Sequence, residues 1–336
     1  MAESIIVNDR DGERLAGVSS PDELGVVVLT YGANSPVARV FASLLQAGVP
    51  SSRVVVVHNP DGSVEGARAP VPDWQQIVMP RNVGYAGAMN MGVRRWLADD
   101  IKWILLLTHE VVIRRGALRR MLQAAVSDEQ LGIVGPALRD REAGCVFSYG
   151  GRQQPDGRVN HITELPPAGP GGVARCAWVD GSVLLVRAAA LSTVGMFEER
   201  FFMYFEEVDL CLRVRRAGWE VGVALDAVVE TSPGFSQRPL AFAYLMARNG
   251  LAYAVRSRGI VAGMLLAGQQ LRWCWALTPK PGGERWGDHD RRRNDWSQVR
   301  AILAGTRDFA LGRWGPPPSQ IRRGGDILAT EFRRDN

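Results

Sequence analysis

GVVVLTYGANSPVARVFASLLQAGVPSSRVVVVHN, residues 25–59, decides the fold. GVVVLTY is a continuous apolar run that ends in polar residues, the pattern of a strand buried on both faces of a parallel sheet. Ser35 to Ala47 carries Val37, Val40, Phe41, Leu44 and Leu45 at helical spacing and stops at Gly48, a C-cap residue. RVVVVHN follows as a second buried strand. Strand, helix and strand in so short a stretch make a βαβ unit, whose crossover is right-handed.

The alternation continues outward. QQIVMP reads as a short strand, GYAGAMNMGVRRWLAD as a helix, KWILLLT as a strand and GALRRMLQAAV as a helix, with another strand at Leu131 to Val134. The expected class is α/β, with a mostly parallel nucleotide-binding sheet flanked by helices. The glycine- and proline-rich stretch from Arg139 to Arg175 is expected to form a long, mobile, substrate-facing loop or hairpin. CAWVDGSVLLVRAAAL reads as a strand into a helix, EEVDLCLRVRRAG as a helix capped by Gly218, and WEVGVALDAVVE as two short strands. Residues 1–24 form a lead segment with one edge strand at Ser4 to Val7, residues 25–235 the main domain, and residues 236–336 a helical C-terminal extension.

Composition sets bounds on function. The chain has 336 residues, 46% hydrophobic and 22% charged, enough for one large α/β domain with an appendage. Formal net charge is +5, and the only lysines are Lys102 and Lys280, so arginine supplies nearly all the positive charge. Its planar fork suits phosphate groups. The arginines are dispersed and no nucleic-acid-binding motif occurs, so nucleic acid is not an expected partner. Cys145, Cys176, Cys211 and Cys274 lie far apart and signal neither a zinc site nor a disulfide framework, which fits a reducing cytoplasm. The start of the chain lacks a signal-peptide core, and the longest apolar stretch, Ile260 to Gly268, falls short of a bilayer span.

The polar residues that close the strands carry the chemistry. After the first strand stands TYGANSP rather than GxGxxG, which argues against a dinucleotide-binding dehydrogenase. Thr30 and Tyr31 close that strand, and His58, Asn59, Pro60, Asp61, Gly62 and Ser63 close the second, where side chains can meet a base or ribose. RNVGYAGAMNMG, residues 81–92, joins Arg81 and Asn82 to Gly84, Gly87 and Asn90 at a helix start. Its small residues would let a nucleotide lie against the backbone, with the two asparagines bonding to it. FFMYFEEVDLCLRVRRAGW, residues 201–219, sets Glu206, Glu207 and Asp209 at another helix start, under an aromatic wall. An N-terminal acidic cap explains one carboxylate, not three. A partly desolvated carboxylate has a raised pKa, as a general base for a hydroxyl requires.

Taken together, VVVLTY, VVVVHNPDGS, RNVGYAGAMNMG, WILLLTHEVV, AWVDGSVLLVRAAALSTVGMFEERFFMYFEEVDLCLR and LMARNGLAYAVR resemble the family 2 glycosyltransferases of the bacterial rhamnosyltransferase-like branch, from about Gly25 to Arg256. The resemblance implies a GT-A fold, a nucleoside-diphosphate sugar donor and inversion at the anomeric carbon. It makes Glu207 the catalytic base with Glu206 and Asp209 supporting, places Trp178, Asp180 and Gly181 against the donor sugar or acceptor, and puts Arg248 and Asn249 near the active site. The acceptor it implies is a glycan, a lipid-linked glycan or a small molecule.

Three positions depart from the family pattern. His58 stands where an Asp usually precedes Asn59; Thr108, His109 and Glu110 replace a metal motif ending in Asp; Glu230 holds the place of a metal-binding His. Glu110 is still an oxygen ligand for Mg²⁺ or Mn²⁺, and His109 could assist Mn²⁺. Alternatively arginine, with Arg81 a candidate, neutralises the diphosphate. These departures also admit a second reading, a catalytically silent GT-A protein serving as a binding or partner subunit. His161 and His289 receive no role. Residues 260–276, with Leu265, Leu266, Leu271, Trp273, Trp275 and Arg272, suit either a helix lying on a membrane surface or a stripe packed on the catalytic domain.

Overall fold

The run that opens the fold becomes strand β1 (Leu24–Tyr31), and its successive side chains point to opposite faces. Val26 and Val28 enter one core cluster and Val27 and Leu29 the other, which is why the run is apolar throughout. The computed structural model describes residues 23–32, 35–61, 71, 74–99, 101–232, 239–277 and 289–321. The expected edge strand at Ser4 to Val7 lies outside them.

Helix α1 (Ala38–Gln46) crosses from β1 to β2 (Val54–Asn59), and Gly48 after it takes φ +76, the left-handed conformation that a helix end favours. Then follow β3 (Gln75–Val78), α2 (Gly84–Leu97), β4 (Trp103–Thr108), β5 (Val112–Ile113), α3 (Ala117–Ser127) and β6 (Leu131–Asp140). Strands β7 (Val146–Ser148), β8 (Gly151–Gln153), β9 (Val159–His161) and β10 (Val173–Arg175) lead to β11 (Val183–Arg187) and α4 (Ala188–Val194). Helix α5 (Glu206–Arg216), β12 (Glu220–Thr231), α6 (Pro239–Arg258), α7 (Ile260–Leu277) and α8 (His289–Ala310) complete the order.

The main sheet runs β10-β12-β6-β11-β4-β1-β2-β3, with β5 beside β12 and β7 beside β6. Strands β3, β2, β1 and β4 are parallel, and β11 is antiparallel to both β4 and β6. The mixed α/β sheet with helices on both faces and a helical C-terminal portion is the architecture expected of a GT-A protein.

The stretch after β6 holds a hairpin, one of the two forms expected: β8 pairs with β9, while β7 pairs with β6 and β10 joins the main sheet. One local expectation changes. WEVGVALDAVVE is one strand, β12, rather than two. Its partner β6 is continuous, and the ladder skips between Ala224 and Val228, so Leu225, Asp226 and Ala227 bulge without ending the strand.

The parallel strands end at one sheet edge, with Tyr31, Asn59 and Thr108 their last residues. Because β11 runs antiparallel to β4, the Asp180–Ser182 turn before it reaches the same edge, where the Thr108 amide donates to the Ser182 carbonyl at 3.1 Å. That edge is where α/β sheets hold ligands.

Candidate active site

The acidic helix starts from a contorted loop. Phe202, Tyr204 and Phe205 have φ of 69°, 69° and 74°. Such conformations cost about 1–3 kcal/mol each in a side-chain-bearing residue and persist only where the surroundings impose them. Here α6 does so. Asn249, fully buried, donates from Nδ2 to the carbonyls of Phe201, Met203 and Tyr204 at 3.0, 2.9 and 2.9 Å. Arg248, also fully buried, donates to the Phe201 carbonyl at 3.1 Å, to the Gly315 carbonyl at 2.7 Å and to Asn249 Oδ1 at 2.9 Å. This pair lies behind the loop that carries the acids: its hydrogen bonds go to backbone carbonyls and to each other. From the other side, the Ala86 amide of α2 donates to the Phe202 carbonyl at 3.4 Å.

The loop delivers its three acids to different environments. Asp209 is fully buried, accepts from Arg213 Nε at 2.7 Å and lies 3.0 Å from Arg256 Nη1. Arg213 in turn donates to the Val194 and Met196 carbonyls at 2.7 Å each, so Asp209 ties α5 to the end of α4. Glu206 and Glu207 have no such counter-charge. The Oε2 atoms of both are buried without a hydrogen-bond partner. Burial raises the Glu207 carboxyl to about 7, with the Asp180 charge adding to the effect. Burial also raises Glu206 well above the usual carboxylate range, reinforced by the Glu207 charge. Glu207 itself is half-buried, so the pair opens at one point.

Opposite Glu207 lies the Asp180–Ser182 turn. Asp180 Oδ1 accepts from the Ser182 amide and hydroxyl at 2.8 and 2.6 Å. Gly181 packs so close that a Cβ there would lie 3.6 Å from Glu207 Cγ and 3.5 Å from the Tyr85 hydroxyl. That hydroxyl donates to the Gly181 carbonyl. Burial raises the Tyr85 phenol well above its ordinary value, with the charges of Glu206, Glu207, Asp180 and Glu110 adding to it in that order. Tyr85 comes from the RNVGYAG motif but was not singled out in the sequence. Nor was His161, whose Nε2 stands 4.0 Å from Asp180 Oδ2 and whose Nδ1 shares a 2.8 Å hydrogen bond with the Ser148 hydroxyl. An isolated histidine in a glycine-rich stretch gives no signal of the hairpin that carries it to the site.

Trp178 was expected to line the sugar. Instead it is 4% exposed, packed edge-on to His161 at 4.8 Å, and bridged through its backbone to Gly151. It anchors the β8–β9 hairpin and leaves the open surface to Asp180 and Gly181.

At the ends of β1 and β2, Thr30 Oγ1 and His58 Nδ1 share a 3.0 Å hydrogen bond, and the Tyr31 amide donates to the Ser35 hydroxyl at 2.9 Å. Asn59 accepts from the Val83 amide at 3.1 Å and donates to Asn82 at 3.0 Å, while Asn82 accepts from the Gly84 amide at 2.9 Å. These asparagines shape the turn before α2. Gly84, at φ +79, cannot carry a Cβ, which would lie 2.1 Å from the Phe202 carbonyl oxygen. Gly87 faces Val83, and Asn90 is buried with bonds of 2.9, 2.9 and 3.0 Å to the Phe197 carbonyl, Glu199 and the Phe197 amide. Within the chain Gly87 and Asn90, expected to meet a nucleotide, make packing contacts and hydrogen bonds to the Phe197–Glu199 segment. Arg81 is exposed at the head of this turn.

The residues at the family's metal positions do not gather. Glu110 accepts from Thr108 at 2.8 Å and lies 3.6 Å from His109 Nδ1, but Glu230 is bound by Arg114 Nε at 3.0 Å. Among the described residues no group of three or more His, Cys, Asp or Glu side chains could hold a metal ion. The expected trio of Glu110, His109 and Glu230 is therefore not a metal-binding set in this arrangement. Arg141, unmarked by any motif, donates to the Glu110 carbonyl and keeps a buried Nε without a hydrogen-bond partner beside it.

The family model for Glycosyltransferase like family 2 matches residues 21–250, and the chain belongs to that family. It is a nucleotide-sugar-dependent glycosyltransferase. The N-acetylglucosaminyl-diphospho-decaprenol L-rhamnosyltransferase of Mycobacterium tuberculosis is 30% identical over 226 residues, covering 59% of this chain and 72% of the relative. A low-salt glycan biosynthesis hexosyltransferase of Haloferax volcanii is 26% identical over 205 residues, covering 60% of this chain and 64% of the relative. Among solved structures, GalNAc-T7 with UDP, GalNAc and Mn²⁺ aligns with a TM-score of 0.48 at 9% identity, over 85% of this chain and 56% of that one. The match to the family reaches into α6, the helix that clamps the acidic loop.

Proposed function

We propose that this protein is an inverting glycosyltransferase in which Glu207 is the general base. The observation that carries the reading is the Glu207 carboxyl, buried at one oxygen without a partner, raised to about 7, and set against the Asp180–Gly181 turn. A base with a pKa near the working pH is ionised often enough and still takes a proton readily. The acceptor hydroxyl (or amine) attacks the anomeric carbon from the Glu207 side and gives its proton to that carboxylate. The bond from the anomeric carbon to the diphosphate oxygen breaks on the opposite face, which inverts the centre.

Glu206 stays protonated, so that Glu207 is the one anion of the pair. Asp209, held by Arg213 and Arg256, positions the helix, and Arg248 with Asn249 positions the loop. Thr30, Tyr31, His58, Asn59 and Asn82 form the donor-side wall. No step is assigned to a metal ion, because the acids at the family's metal positions are not assembled. Charge developing on the diphosphate is met by arginine, with Arg81 and Arg141 the candidates. We place the domain boundaries at residues 1–24, 25–235 and 236–336, the last serving as the loop's support.

The acceptor proposed is a lipid-linked glycan, by analogy with the mycobacterial relative, and the protein works in the cytoplasm at the periphery of the membrane. The test is transfer from a panel of nucleoside-diphosphate sugars to lipid-linked acceptors, with the anomeric configuration of the product read by NMR. Inversion with loss of transfer in Glu207→Gln supports the reading. Retention of configuration overturns it.

A further inference from the structure

The outer face of α7 is apolar where an outer helix is ordinarily polar. Val261, Met264, Leu265, Leu271 and Trp275 recur at helical spacing and are 64%, 67%, 55%, 54% and 72% exposed. Trp273, nearer the helix end and on the other side from this stripe, is also 65% exposed. The opposite face is already committed. Ala262, Leu266 and Cys274 are buried, Gly263 packs on Val255 of α6, Gln270 joins Ala247 and Thr306, and Gln269 bonds to Asp156 at 2.9 Å. The exposed stripe is therefore the outward side of a docked helix. Among the described residues no helix is long and apolar enough to cross a membrane.

We propose that this face lies on an anionic lipid surface. Three observations select that occupant. The 18 residues of α7 contain no acid, and their single charge, Arg272, is exposed on the apolar face. Arg258, exposed at the end of α6, adds positive charge at the start of α7, and the chain as a whole carries +5. Among the described residues, the one carboxylate bonded to the helix, Asp156, is paired with Arg158 at 2.8 Å. Aliphatic side chains flanked by tryptophan and arginine are what a helix lying in the headgroup region presents. The helix also rests on the turn of the β8–β9 hairpin, whose far end carries His161 beside Asp180 and is bridged through Gly151 to Trp178.

The inference deepens the membrane-side reading above, and its test involves no sugar transfer, so its failure leaves the transfer chemistry standing. The full chain is floated with phosphatidylcholine vesicles, with and without about one third phosphatidylglycerol. Parent protein is expected to float with the anionic vesicles. Met264→Gln combined with Trp275→Gln should weaken binding by about ten-fold or more, and Arg272→Gln by about five-fold on anionic vesicles only. Melting temperatures should change little, since Met264, Trp275 and Arg272 are all largely exposed. Failure of the parent to float with either vesicle overturns the proposal, as does equal binding by the double variant. So does a parent dimer, seen by sedimentation velocity, that the double variant turns into a monomer without any vesicle binding, because the face then joins two copies of this chain.

Discussion

Helices α2 and α5 begin beside each other, and each opens with a polar motif, yet the two ends are built to opposite rules. Around the start of α2 the asparagines are engaged: Asn59, Asn82 and Asn90 each bond to backbone or to one another. At α5 all three acids keep a buried oxygen without a hydrogen bond, but Asp209 Oδ1 lies 3.0 Å from Arg256 Nη1 whereas the oxygens of Glu206 and Glu207 have no ion pair among the described residues. A satisfied buried polar group contributes to stability, whereas an unsatisfied one costs free energy and persists where it has another use. The difference separates scaffold from chemistry in a way that residue types alone cannot.

The largest effect expected tests the chemical end. Glu207→Gln should lower the transfer rate by about 10²-fold or more, with donor affinity preserved and the melting temperature at neutral pH not lowered, since the amide removes a destabilising ionisation. A rate within a few fold of the parent would move the base to Glu206. Next, Asn249→Ala frees three carbonyls of the strained loop and should reduce transfer by about 10-fold or more through misplacement of Glu207. Its denaturation midpoint should fall as well, and normal kinetics in that variant would mean that the loop holds its shape unaided.

At the scaffold end, Asn90→Ala should destabilise the fold by about 2–3 kcal/mol, since it leaves the Phe197 backbone groups unpaired, while calorimetry shows nucleotide affinity unchanged. A selective loss of nucleotide binding would erase the contrast between the two helices.

The pH dependence sharpens the comparison further. Activity should rise with pH through about 7 as Glu207 ionises. Stability runs the other way. Glu206 and Glu207 bind protons more tightly in the folded chain than in the unfolded one, so stability falls as pH climbs from the ordinary carboxylate range through about 7. Glu206→Gln should flatten that fall, and melting curves at a series of pH values that are superimposable for parent and variant would refute the paired-acid reading. The smallest effect concerns metal. Chelator should change the transfer rate by less than about three-fold if arginine neutralises the diphosphate. Abolished activity, restored by Mn²⁺, would show that Glu110 and His109 suffice with the substrate's own oxygens.

Much of this molecule is determined by local order in the sequence. The apolar runs of β1, β2 and β4 and the helical spacing of α1 identify the parallel half of the sheet, because burial on both faces demands continuous apolar residues. The acidic cluster at α5 is equally legible, since three carboxylates exceed what a helix start requires. The division of labour among those acids is not. Asp209 meets Arg256 from α6, Glu230 meets Arg114 from beyond β5, and His161 arrives through a hairpin built within a glycine-rich stretch. The partner that satisfies or exposes a polar group comes from a distant part of the chain, and its arrival depends on the packing of whole elements. The sequence by itself determined which residues can do chemistry; the tertiary structure alone decided which of them are left with chemistry to do, because satisfaction of a buried polar group is a property of its neighbours in space.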